Sequence, residues 1–127
     1  MNLQYTFRLY LNVDGQRLLG KGGAQILEAV DEHGSIAAAA EELEMSYKFT
    51  WDYLIRMRKR LRQPVIVTRR GGTRGGEKKG GGGTALTPAA RALLKEFRET
   101  ERLVRSMLLK RGRSAVRSVS GLNDKLA

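Results

Sequence analysis

Residues 34–62 read GSIAAAAEELEMSYKFTWDYLIRMRKRLR. Two hydroxyl residues in this stretch, Ser35 and Ser46, stand directly before helix-forming runs. A serine oxygen in that place accepts a hydrogen bond from one of the free N–H groups of a first helical turn. The first run, 36–43, has alanine at positions 37 to 40, the strongest helix former and one whose small side chain lets another helix come close. After a short turn at Glu44 and Met45, the second run covers 47–61. Along it Trp51, Leu54, Ile55, Arg58 and Leu61 recur at helical spacing. That phase turns the apolar members, Trp51 among them, toward a core and asks Arg58 to reach past it to solvent. Lys48, Asp52 and Lys59 fall on the opposite face with the polar ends of Tyr47 and Tyr53, and Phe49 fits either side.

Outward from this pair of helices the pattern changes twice. Upstream, Leu3 to Val13 alternates apolar and polar residues at period 2, the mark of a strand with one buried face. Asp14-Gly15 is a turn pair that can reverse the chain into a short strand at 17–19. Gly20, Gly22 and Gly23 then interrupt, and Ile26, Leu27 and Val30 mark a helix from Ala24 that stops at His33-Gly34. Downstream, Pro64 ends the 47–61 helix and Val65 to Thr68 is β-prone. The segment from Arg69 to Gly83 holds 8 Gly and 5 Lys or Arg and cannot bury a core. With a short strand resuming at Thr84 to Leu86, residues 65–86 read as a hairpin with a long basic tip. Thr87 as cap and Pro88 at the first helical position open a long helix to about residue 111. Leu93, Phe97, Val104 and Met107 lie along it, with Leu108 on the flank, as a packing or dimer seam. Residues 112–127 show no period and read as a basic tail without regular structure.

The 127 residues carry 24 Lys plus Arg, 13 Asp plus Glu, one His and no Cys, for a formal charge of +11. No thiolate, disulfide or ordinary multi-histidine metal site can be built from that set, and no catalytic nucleophile and base can be nominated together. No cofactor is expected. The acidic residues Glu28, Asp31, Glu32, Glu41, Glu42 and Glu44 read as a solvated face. No apolar run approaches the roughly 20 residues of a membrane span, and nothing at the start resembles a secretion signal, so a cytoplasmic protein is expected. The glycine-rich segment lacks the Gly-x4-Gly-Lys-Ser/Thr of a nucleotide loop. The charge is unevenly placed: residues 1–55 have 4 basic and 8 acidic side chains, residues 56–83 have 10 and 1, and residues 84–127 have 10 and 4. A basic block beside an acidic one is the footprint of a polyanionic partner.

Helix, capped helix, short turn, capped helix and hairpin, in that order, make a winged helix-turn-helix, a mainly α fold with a small β component (α+β). Here it has an N-terminal strand and a long C-terminal dimerisation helix, the domain covering 1–111. In such a fold the 47–61 helix lies in the major groove of duplex DNA and the hairpin tip follows the backbone. The residues expected at the DNA are Ser35, Ser46, Tyr47, Lys48, Thr50, Tyr53, Arg56, Lys59 and Arg60 on the helices. Arg69, Arg70, Thr73, Arg74, Lys78 and Lys79 are expected there from the wing.

The segments GSIAAAAEELEMSYKFTWDYLIRM and VTRRGGTRGGEKKGGGGTALTPAARALLKEF resemble the N-terminal domain of ModE-type molybdate-dependent transcription regulators. The likeness runs over about residues 20–100. It is carried most specifically by Gly34-Ser35-Ile36, by Met45-Ser46-Tyr47-Lys48 with Trp51 and Asp52, and by Gly80 to Gly83 leading to Leu86-Thr87. It implies a helix-turn-helix of the LysR type that binds operator DNA as a homodimer, the N-terminal strand and the helix after the wing helping to join protomers. A molybdate or other oxyanion effector is not expected within this chain. The reading is a sequence-preferring transcription regulator; the alternative is an architectural nucleoid protein that coats DNA with little sequence choice, and RNA binding is a third.

Overall fold

A computed structural model describes residues 1–69 and 83–126, with side chains through Leu122. Its elements run β1 (Leu11–Val13), β2 (Gln16–Leu19), α1 (Lys21–His33), α2 (Ile36–Glu42), α3 (Tyr47–Leu61), β3 (Ile66–Arg69), β4 (Gly83–Leu86) and α4 (Pro88–Leu126). This is the mainly helical winged helix-turn-helix, and local signals set most of its boundaries. Asp14 and Gly15 both take positive φ, 49° and 79°, the geometry that folds β1 back on β2 in a tight hairpin. Gly34 closes α1 with φ 67°, its N–H donating to the Val30 carbonyl at 2.8 Å. A side chain at that left-handed position would be strained, so α1 stops there. The Ser35 and Ser46 hydroxyl oxygens accept from Ala38 N and Phe49 N, both at 3.0 Å, as the caps predict.

One core joins these elements. Leu19, Ile26, Leu27, Val30, Ile36, Ala39, Leu54, Met57, Val65, Leu86, Ala90 and Phe97 are buried together. Alanine at 39 and 40 lets α2 sit close on its neighbours. The wing strands pair antiparallel from Ile66↔Leu86 to Arg69↔Gly83, and two hydrogen bonds fix their base. Thr84 N–H donates to the Gly34 carbonyl at 2.8 Å, and the Thr87 hydroxyl donates to the Pro64 carbonyl at 2.9 Å while accepting from Ala90 N at 3.1 Å. Thr87 therefore caps α4 and ties it to the connection between α3 and β3.

Four sequence expectations are corrected. The period-2 segment 3–10 is not a strand, because the described chain offers its backbone no partner; only Leu11–Val13 pairs. The segment runs instead along α4, where Leu3 O lies 3.0 Å from the position a Cβ on Gly112 would take. The first helix begins at Lys21, before Ala24, and includes Gly22 and Gly23. Trp51 is 37% exposed, while Thr50, Leu54 and Met57 are buried, so the core-facing phase of α3 is one residue away from the Trp51 stripe. Finally, residues from 112 onward are not an irregular tail, since α4 continues through Leu126. Extending a formed helix costs far less than starting one, and at Gly112, which reads as a breaker, the N-terminal segment crosses closely.

The corrected phase has a measurable consequence. Leu54→Ala should lower the unfolding free energy by about 2–5 kcal/mol in urea denaturation, and Trp51→Ala by less than half as much.

Candidate nucleic-acid interface

The phase of α3 sorts its side chains into a buried row, an outward row and two flanks. Thr50 has no exposed surface; its hydroxyl donates to the Ser46 carbonyl at 3.0 Å. Leu54 and Met57 continue that row into the core. Directly opposite stand Lys48, Asp52 and Lys59, all exposed. Lys48 Nζ donates to Asp52 Oδ2 at 2.8 Å, and that hydrogen bond, with the carboxylate charge, holds the ammonium above the usual lysine range.

One flank faces the wing. There Tyr47 and Trp51 stack, ring centroids 6.5 Å apart and planes 7° from parallel. A groove of about 270 Å³ runs between α3 and β3, with Trp51, Ile55, Arg58, Ile66 and Thr68 along it. The other flank faces β2. Phe49 and Tyr53 pack tilted at 6.4 Å, Arg56 lies 5.1 Å over the Tyr53 ring, and Arg60 donates to the Arg17 carbonyl. The half-buried Tyr53 reaches back toward α1, its hydroxyl oxygen 2.5 Å from where a Cβ on Gly23 would stand. Arg58, Lys59 and Arg60 crowd the last turn of α3, where cations also oppose the negative end of the helix dipole.

Of the residues expected at DNA, the structure brings Ser46, Tyr47, Lys48, Arg56 and Lys59 onto the open surface of α3, with Arg69 exposed at the end of β3. Arg60 is half-buried at its edge. Ser35 is half-buried, its hydroxyl engaged as the cap of α2. One expectation is corrected: Thr50 has no surface to offer a partner. Tyr53 is half-buried on the flank toward β2, with its hydroxyl near α1. Arg70, Thr73, Arg74, Lys78 and Lys79 lie outside the described residues. Sequence reasoning passed over Trp51 as a surface group. The available signal was the alternative stripe Thr50, Leu54, Met57, Leu61, equally regular but hidden by a polar first member.

The expected seam on α4 divides as well. Phe97 is 3% exposed in the core and Leu93 packs against that core, so the structure removes Phe97 from any surface. Val104 and Leu108 are half-buried, whereas Leu103, Met107 and Leu109 are exposed. The acidic residues of the first helices are partly used to hold α4: Arg98 Nε donates to Glu28 Oε2 at 2.6 Å and Arg91 pairs with Asp31 at 2.7 Å. Among the described residues no cluster of three or more His, Asp or Glu side chains could hold a metal ion, and no helix is long and apolar enough to cross a membrane.

Comparison with known proteins follows the same segment. The family described as "Bacterial regulatory helix-turn-helix protein, lysR family" matches residues 23–91, from the first turn of α1 into α4. The molybdenum-pterin-binding protein MopA of Rhodobacter capsulatus is 35% identical over 63 residues, which is 50% of this chain, and the chain spans 24% of that protein's length. ArgP from Mycobacterium tuberculosis superposes with a TM-score of 0.49 at 23% identity, over 68% of this chain and 28% of its own. The CbnR_DBD–DNA complex gives 0.47 at 24% identity, over 78% and 93%.

Thr50→Val tests the assignment of faces. It should lower stability by about 1 kcal/mol through the lost buried hydrogen bond and leave affinity for duplex DNA within about twofold, in contrast to Lys48→Ala.

Proposed function

The chain belongs to the lysR family of bacterial regulatory helix-turn-helix proteins, and on that premise we propose that it is a sequence-preferring transcription regulator that binds duplex DNA as a homodimer. The observation that carries this reading is the arrangement of α3. One row is buried in the core, and the opposite row, with a capped polar start, points outward beside a basic hairpin. The N-terminal half of α3 enters the major groove, where Tyr47, Lys48 and their neighbours meet base edges. Arg56, Lys59 and the wing cations at 69, 70, 74, 78 and 79 meet phosphates.

The second protomer is held through the α4 surface beyond the core. Val104, Met107 and Leu108 from the expected seam are joined there by Leu103, which is 54% exposed. A two-fold dimer places its recognition helices on half-sites about 34 Å apart, so the operator is an inverted repeat. The ModE-type kinship is part of the proposal, supported by the motifs around Ser46 and by the similarity to MopA, whose name gives it a molybdenum-pterin ligand.

Binding-site selection on the purified protein at two salt concentrations tests the reading. The expected result is an inverted repeat bound at least about 10³-fold more tightly than random duplex. Near-equal affinity for the two would replace the regulator with an architectural DNA-coating protein. Neutralising Lys78 and Lys79 together should flatten the slope of log affinity against log salt by about 2, with little change in sequence preference. Leu103→Glu with Met107→Glu should yield monomers in sedimentation analysis.

A further inference from the structure

Asp52 is the one acidic side chain between Met45 and Arg69, a stretch that also holds six Lys or Arg residues. It sits at the centre of the outward row of α3, and its side chain is 52% exposed beside a Lys48 that is 84% exposed. A carboxylate there repels every phosphate the helix approaches and so lowers affinity for DNA in general.

Its pairing within the helix does not account for it: Arg56, four residues on, lies over the Tyr53 ring, and the partner Asp52 does take is Lys48. An i,i+4 pair supports a helix best with the acid on the N-terminal side, yet here the lysine comes first. Lys48 occupies the first turn, where a cation is disfavoured by the helix dipole, and no acidic residue is present in that turn. As a brace for α3 the pair is built backwards. Burial does not account for it either, because both groups stand in solvent.

The pair does match one target. In the major groove a G·C pair presents two acceptors on guanine, N7 and O6, beside a donor on cytosine, N4–H₂, and lysine to guanine and aspartate to cytosine are the corresponding contacts. Lys48 and Asp52 offer a donor and an acceptor one helical turn apart, joined at 2.8 Å, and each holds the other's long or short side chain in place. Accordingly, we propose that Lys48 and Asp52 act together as a base-reading unit that selects a G·C pair in each half-site, with Asp52 the specificity-determining partner. The carboxylate accepts from cytosine N4 while the ammonium donates to guanine. Where Lys48 meets only phosphate, the same carboxylate weakens the contact. The pair thus raises the contrast between operator and random duplex by weakening the contact with random duplex. This inference rests on the DNA-binding reading above.

The test is binding-site selection followed by competition titration with the full chain, comparing wild type, Asp52→Ala and Asp52→Asn on the selected operator, on operators changed one base pair at a time, and on random duplex. The wild type should prefer G·C at one symmetric half-site position by about tenfold or more. Asp52→Ala should bring that preference below about threefold while other positions keep theirs. Asp52→Asn should admit A·T at the same position, since an amide also pairs with adenine. A preference retained within twofold in Asp52→Ala at every position overturns the proposal, as does an equal loss of affinity on operator and random duplex. A wild type without any sequence preference overturns the regulator reading and this one together, so the two failures are distinguishable.

Discussion

The burial of a single row of α3 is the constraint on which the rest of the structure depends. Thr50, Leu54 and Met57 are enclosed by α1, α2 and β2, and a polar member of that row is tolerated only because its hydroxyl reaches the Ser46 carbonyl. Once those three positions are fixed, helical geometry leaves no choice about what faces outward. Lys48, Asp52 and Lys59 are presented to solvent, the Tyr47–Trp51 stack is turned toward the wing, and Tyr53 is turned toward α1. Core packing and surface chemistry are two readings of one rotation angle.

The hairpin and α4 are keyed to the segments around that helix through backbone carbonyls. Thr84 donates to the carbonyl that ends α1, and Thr87 links the carbonyl of Pro64 to the first turn of α4. Each bond joins a segment that carries surface charge to one whose place the core has already set, so the strands flanking the basic tip leave the body at a defined point beside α3. Ion pairs between α4 and α1 add orientation. Arg98 with Glu28 and Arg91 with Asp31 lie at the surface, where such pairs are worth at most about 1 kcal/mol, but they give the acidic first half of the chain a local role. Through these two pairs Glu28 and Asp31 face the basic helix α4.

Much of this was legible in the residue order because the signals are local. The caps at Ser35, Ser46 and Thr87, the Gly34 stop, the Asp14-Gly15 turn and Pro64 each act within four residues. The helix over Tyr47–Leu61 and the hairpin base follow from them. The failures have a different origin. Leu3 to Leu9 alternates as a strand does, yet a strand needs a second strand, and the described chain supplies none beside it. Gly112 breaks helices on average, but its missing side chain lets the N-terminal segment cross α4, and the helix continues. For the candidate interface, the charged residues were found by composition, whereas Thr50 and Trp51 were misplaced because two stripes on α3 were equally regular.

The sequence by itself determined the helix and hairpin boundaries of the middle of the chain and where the positive charge lies, since caps, turns and charge depend on residues near one another. Only the tertiary structure decided which way α3 is rotated. Rotation depends on the volume and shape of α1, α2 and β2 around it, and those are long-range quantities that no window of sequence contains. That rotation takes Trp51 out of the core, puts Thr50 into it and sets Asp52 beside Lys48 at the centre of the outward face.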